Sequence, residues 1–89
     1  MSAVARVLMY SRRTCGLCDK ARGAIESVRD RIPFAFDEVM IDGDDALEER
    51  YGLRVPVVEV DGREAFEYEV SHGELERLVS GRGPGEARG

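Results

Sequence analysis

The sequence predicts one α/β domain, a mixed four-stranded sheet flanked by three helices in the order β-α-β-α-β-β-α. Three observations carry this. A strand-like run, "ARVLMYS", leads into helical spacing and then a second strand-like run, which implies a parallel pair joined by a right-handed crossover. Two further β-runs meet at Asp61-Gly62, a pair suited to a type I′ turn, and so form an antiparallel hairpin. Finally, 89 residues with 43% hydrophobic and 35% charged side chains suit a single small domain.

Each element has its own local reason. Ala5 to Ser11 is a run of β-formers closed by polar residues. Thr14 then stands as cap of a helix whose Ala21, Ala24, Ile25 and Val28 make one buried stripe, with Cys15 in its first turn and Pro33 stopping it. Phe34 to Asp42 reads as the second strand, although its alternation slips between Phe36 and Val39, as a bulge or burial on both faces would make it do. Asp42 to Gly52 is a short helix, capped by aspartate and closed by glycine. Val55 to Tyr68 is the hairpin. Ser71 and Glu74, three apart, form a capping box ahead of Leu75, Leu78 and Val79. The domain thus spans 1–80, and the glycine-rich 81–89 is expected to be a flexible tail.

Composition narrows the function. A formal net charge of −5 argues against a general nucleic-acid binder. No apolar run approaches the ~20 residues of a membrane span, and no signal peptide is read at the N-terminus. The expectation is a cytoplasmic protein, where a lone CxxC pair is catalytic or metal-binding more often than structural. Twelve of the thirteen basic residues are arginine, which points to a GC-rich coding genome.

The two cysteines lie in "YSRRTCGLCDKAR". A bridge between Cys15 and Cys18 closes too small a loop to stabilise the fold much. At a helix N-terminus, Cys15 meets unpaired backbone N–H groups and the positive end of the helix dipole, which favour thiolate. Arg12, Arg13, Lys20 and Arg22 add to that effect, and Asp19 opposes it. Cys15 is therefore the candidate nucleophile and Cys18, one turn deeper, the resolving thiol. Leu17 between them offers an exposed apolar contact to a substrate. Pro56, after Val55 at the start of the third strand, lacks a backbone donor and can adopt cis geometry.

Taken together, "VLMYSRRTCGLCDKAR" and, forty residues on, "LRVPVVEVDG" resemble the small bacterial glutaredoxin-like proteins of the thioredoxin superfamily. The architecture, with CxxC at the first strand-to-helix junction, is the smallest form of the thioredoxin fold. The resemblance implies a thiol-disulfide oxidoreductase with nucleophile Cys15, resolver Cys18, a cis-proline at Pro56, and Val55 presenting its backbone to a bound thiol substrate. It further implies Arg12 or Arg13 as partner for a glutathione-like carboxylate. No bound cofactor is implied; glutathione or another low-molecular-weight thiol is the implied co-substrate. The partners would be a disulfide-containing protein or a small-thiol mixed disulfide, with a reductase or small thiol as electron donor and the protein acting as a monomer. Glutathione-using relatives carry Gly-Gly and Asp at the third helix, whereas this chain has "VSHGEL", Val70 to Leu75, of which Gly73 alone matches.

Two other readings stand beside this one. CxxC is half of a zinc or iron-sulfur site, which His72, acidic residues or a second chain would have to complete. A redox-inactive partner-binding module on the same fold is the other. "DGDD" lacks the spaced ligands of a calcium loop and reads as helix capping. His72 reads as a solvated first-turn residue.

Overall fold

The computed structural model describes residues 4–80, so the tail expected over 81–89 lies outside the described residues. Strands β1 (Arg6–Ser11), β2 (Ala35–Met40), β3 (Val57–Val60) and β4 (Arg63–Glu67) alternate with helices α1 (Gly16–Arg29), α2 (Asp45–Tyr51) and α3 (His72–Ser80) in the expected order. They form one sheet in the order β2-β1-β3-β4, with β1 parallel to β2 and antiparallel to β3, and β3 antiparallel to β4.

Period-two alternation divides the sheet into two faces. Val7, Met9 and Ser11 of β1 are buried on one face, and their register partners Phe36, Glu38 and Met40 on β2 share it. That face packs under α1 and α3 in the main core, where Val7, Met9, Val58 and Val60 meet Ile25, Val28, Leu75 and Val79. Tyr10 and Val57 point the other way, into a smaller cluster with Ile41, Leu47 and Tyr51 beneath α2.

Four local expectations are refined. The cap of α1 is Cys15 rather than Thr14: its extended backbone (φ −151°, ψ 106°) precedes the helix and its Sγ accepts the Cys18 N–H at 3.1 Å. The same helix ends at Arg29, before Pro33, with the Asp30 and Ile32 N–H groups closing the last turn. Strand β2 pairs with β1 without a register shift, so no bulge explains its broken pattern. It is an edge strand, and its inward Glu38 is accommodated by charge pairing. The cap of α2 is Asp44, whose Oδ1 accepts the Leu47 N–H at 3.1 Å.

Asp61 (φ 53°) and Gly62 (φ 85°) make the hairpin turn with positive φ at both positions, as type I′ requires. A register shift follows between Val58 and Glu59, which leaves Ala65 as the extra residue of β4. Ser71 Oγ accepts the Glu74 N–H at 3.2 Å and starts α3. His72 is the exposed first residue of that helix.

Candidate active site

Tyr10 of β1 is the register partner of Val57 on β3. The segment after β1, which carries the cysteines, and the segment before β3, which carries Pro56, therefore leave the sheet at the same end. Cys15 and Cys18 are joined in a disulfide with Cα atoms 5.2 Å apart. Their environments differ. Cys18 is fully buried on the sheet-facing stripe of α1, whereas Cys15 is partly exposed at the helix N-terminus. The Val55–Pro56 peptide bond is cis, with Pro56 buried and Val55 partly exposed.

The arginines before the motif serve different partners. Arg12 turns toward α2: its Nη2 donates to Glu48 Oε1 at 2.7 Å and to the Gly52 carbonyl at 3.3 Å. Arg13 is exposed and its backbone N–H donates to Asp42 Oδ1 at 3.0 Å, tying the thiol loop to the end of the second strand segment. "DGDD" is thus occupied by a loop tether and a helix cap. Among the described residues no group of three or more His, Cys, Asp or Glu side chains is placed to hold a metal ion.

Three features near the thiols were not read from the sequence. Gly52 ends α2 with an ordinary helical φ of −52°, so conformational freedom is not its purpose. A Cβ there would collide with the Glu48 carbonyl oxygen and lie 3.0 Å from the Arg12 Nη2. The "Gly after a helix" signal found the position but not this reason. Second, Tyr68 adopts a left-handed backbone (φ 68°), a costly conformation for a bulky residue. Its N–H donates to the Pro56 carbonyl at 2.8 Å and its hydroxyl to the Leu53 carbonyl at 3.0 Å, so it braces both sides of the segment leading into β3.

Third, Glu38 lies beneath the start of α1. Arg22 holds its carboxyl below the usual carboxylate range, and Ser11 Oγ adds a second donor; the pairing in turn raises the Arg22 guanidinium further. On the opposite face Tyr10 stacks on Tyr51 with ring centroids 4.1 Å apart. Burial, then the Tyr51 hydroxyl, push the Tyr10 phenol above its ordinary value.

Large apolar side chains are exposed around this end of the molecule. Leu17 is 47% exposed, Tyr68 46% and Leu53 92%. A groove of about 270 Å³ runs between α1 and the segment entering α3, lined by Leu17, Lys20, Ala21, Tyr68, Val70 and His72.

A four-stranded mixed sheet with three helices, a dithiol at the first strand-to-helix junction and a cis-proline opening the third strand defines a protein of the thioredoxin superfamily. The model of the glutaredoxin-like domain (DUF836) matches residues 6–80, and the chain belongs to that family. Among solved structures, the protein XcR50 from X. campestris is 38% identical, over 88% of this chain and 99% of its own, with a TM-score of 0.71. The protein Ne2328 from Nitrosomonas europaea, at 22% identity, shares the fold over 90% of this chain and 96% of its own, with a TM-score of 0.77. A mutant thioredoxin from Halobacterium salinarum shares it at 24% identity over 84% of this chain and 71% of its own, with a TM-score of 0.58. Comparison with curated proteins returns no match. The fold, the family and the paired cysteines fit a redox role.

Proposed function

We propose that this protein is a thiol-disulfide oxidoreductase that works as a dithiol and reduces protein disulfides. The observation that carries the reading is the asymmetric pair, Cys15 partly exposed at a helix N-terminus and Cys18 buried one turn away within bonding reach. In the reduced protein, the Cys18 N–H and the helix end favour a thiolate at Cys15. That thiolate attacks one sulfur of a substrate disulfide, forms a mixed disulfide and releases the other sulfur as a thiolate that takes up a proton. The Cys18 thiol then loses its proton and attacks Cys15 Sγ, releasing the second substrate thiol and leaving the Cys15–Cys18 disulfide. Two electrons pass to the substrate. A reductase or small thiol of the cytoplasm returns them.

Three features favour a protein substrate over glutathione. Arg12, a candidate carboxylate partner, is engaged with Glu48 and Gly52, and the first turn of α3 is capped internally by Ser71. Leu17, Leu53 and Tyr68 meanwhile expose the apolar surface that a protein partner would cover. The groove beside Leu17 supports a second reading, in which a small-thiol mixed disulfide is the substrate.

The two readings separate by variant. Cys15→Ser is expected to abolish all exchange. Cys18→Ser is expected to abolish reduction of a protein disulfide such as that of insulin, since the mixed disulfide is no longer resolved. Retained reduction of a small mixed disulfide by Cys18→Ser, with glutathione or another thiol as second substrate, would favour the second reading. Activity persisting in Cys15→Ser would overturn both.

A further inference from the structure

Ser11 closes β1 and Arg22 lies one helical turn beyond Cys18, so the two residues bracket the segment carrying both thiols. One carboxylate on a third element holds them both. Glu38 Oε2 accepts from Ser11 Oγ at 2.6 Å and from Arg22 Nη2 at 2.5 Å, and Oε1 accepts from Arg22 Nε at 2.8 Å. Ser11 is fully buried and the Glu38 side chain is only 19% exposed. The register partner of Glu38 is Met9, and Phe36 shares its face, so an apolar side chain would serve the packing here. An inward carboxylate on an edge strand is costly to bury, and what it supplies that a leucine could not is a directional grip on two other elements.

We propose that Glu38 is a positioning residue for the dithiol: by gripping Ser11 and Arg22 it fixes the ends of the 11–22 segment and keeps Cys15 and Cys18 at bonding distance. The physical basis is the entropy of ring closure. With both ends held, the reduced form has less conformational freedom to lose when the sulfurs join, so the effective concentration of one thiol at the other is high. Release of either end lowers that concentration and makes the disulfide easier to reduce. The inference rests on the dithiol reading of the site. Its readout is the protein's own thiol pair, so a failed substrate assay leaves it standing, and its own failure leaves the substrate reading intact.

The test is equilibration with dithiothreitol, in which the Cys15–Cys18 disulfide and the reagent dithiol exchange for the protein dithiol and the cyclic reagent disulfide. Glu38→Gln keeps one acceptor oxygen and loses the fork on Arg22. It is expected to lower the equilibrium constant for forming the protein disulfide about threefold to tenfold, tenfold being ~30 mV for this two-electron couple. Ser11→Ala releases one end only and is expected to move it the same way by less. Arg31→Gln removes an ion pair to Glu76 just beyond the far end of α1 and is expected to leave it unchanged. A folded Glu38→Gln protein with the wild-type equilibrium would overturn the proposal. So would an equal shift in Arg31→Gln, which would reduce the effect to general loss of stability. Should Glu38→Gln fail to fold, Ser11→Ala decides, and an unchanged equilibrium there refutes the clamp.

Discussion

The two faces of the sheet are held in different ways. On the α1/α3 face, Val7, Met9, Ile25, Val28, Val58 and Leu75 are packed with almost no exposure, and dispersion and the hydrophobic effect position the helix that carries Cys18. On the other face α2 covers only the thiol end of the sheet. Toward the hairpin turn, Leu8, Asp37, Glu59 and Asp61 line an open groove of about 390 Å³. At the thiol end the helix rests on the small apolar cluster of Ile41, Val57 and Leu47 and is held besides by polar and aromatic arms: Arg12 to Glu48 and Gly52, Tyr10 stacked on Tyr51, and the Arg54 guanidinium 5.5 Å from the Tyr51 ring centre. The difference separates two tasks. Close packing holds the resolving thiol in place, while directional contacts shape the surface around the attacking one. Changes on the first face are therefore expected to cost stability, and changes on the second to alter the site at smaller cost.

The largest expected effect is on the packed face. Ile25→Ala removes a fully buried side chain from the core-facing stripe of the dithiol helix itself and is expected to cost about 3 kcal/mol, a large share of the stability of a domain this size. Leu47→Ala on the α2 face, where the side chain is half-buried, is expected to cost about 1 kcal/mol. Urea unfolding measures both, and equal losses would break the contrast between the faces.

Gly52→Ala comes next, at about 2 kcal/mol, because the added Cβ must displace the Glu48 carbonyl and also crowds the Arg12 guanidinium. Pairing it with Arg12→Ala sharpens the point. If Arg12 is part of the obstacle, the double variant should lose less than the sum of the singles.

Glu38 gives a pH signature of smaller size. Its carboxyl titrates below the ordinary value in the folded protein, so it contributes stability above the unfolded-state pKa of ~4.3, and that contribution is lost as pH falls through the lower folded value. The wild type is expected to lose an increment of stability on acidification that Glu38→Gln does not lose. Unfolding midpoints at pH 7 and pH 3 check this, and parallel acid losses in the two proteins would contradict it.

The smallest effect belongs to Tyr68→Phe. Losing an exposed hydroxyl bond to the Leu53 carbonyl is expected to cost under about 1 kcal/mol of stability. It should nevertheless weaken substrate capture, since the brace on the segment leading into β3 is halved. A raised KM for a protein disulfide with kcat little changed would match this; an unchanged KM would remove Tyr68 from the site.

What the sequence by itself determined rests on interactions between near neighbours along the chain. The 3.6-residue stripe of Ala21, Ala24, Ile25 and Val28 can only be a helix face, Asp61-Gly62 can turn in two residues because both accept positive φ, and Cys15 and Cys18, three apart, fall one turn from each other, close enough to form a pair whose ease of closure the surroundings then set. These signals sufficed for the element order and the dithiol. They did not distinguish Thr14 from Cys15 as the cap, since both can accept a backbone N–H and only the path of the loop decides which one does. Tertiary structure alone decided the contacts between residues distant in sequence. Arg12 meets Glu48 across 36 positions, Glu38 meets Ser11 across 27, and Tyr68 meets Leu53 across 15. A charged side chain looks the same in sequence whether it faces solvent or reaches across the fold. Its partner is chosen by which strands become neighbours and which face each presents, and only the assembled sheet settles both.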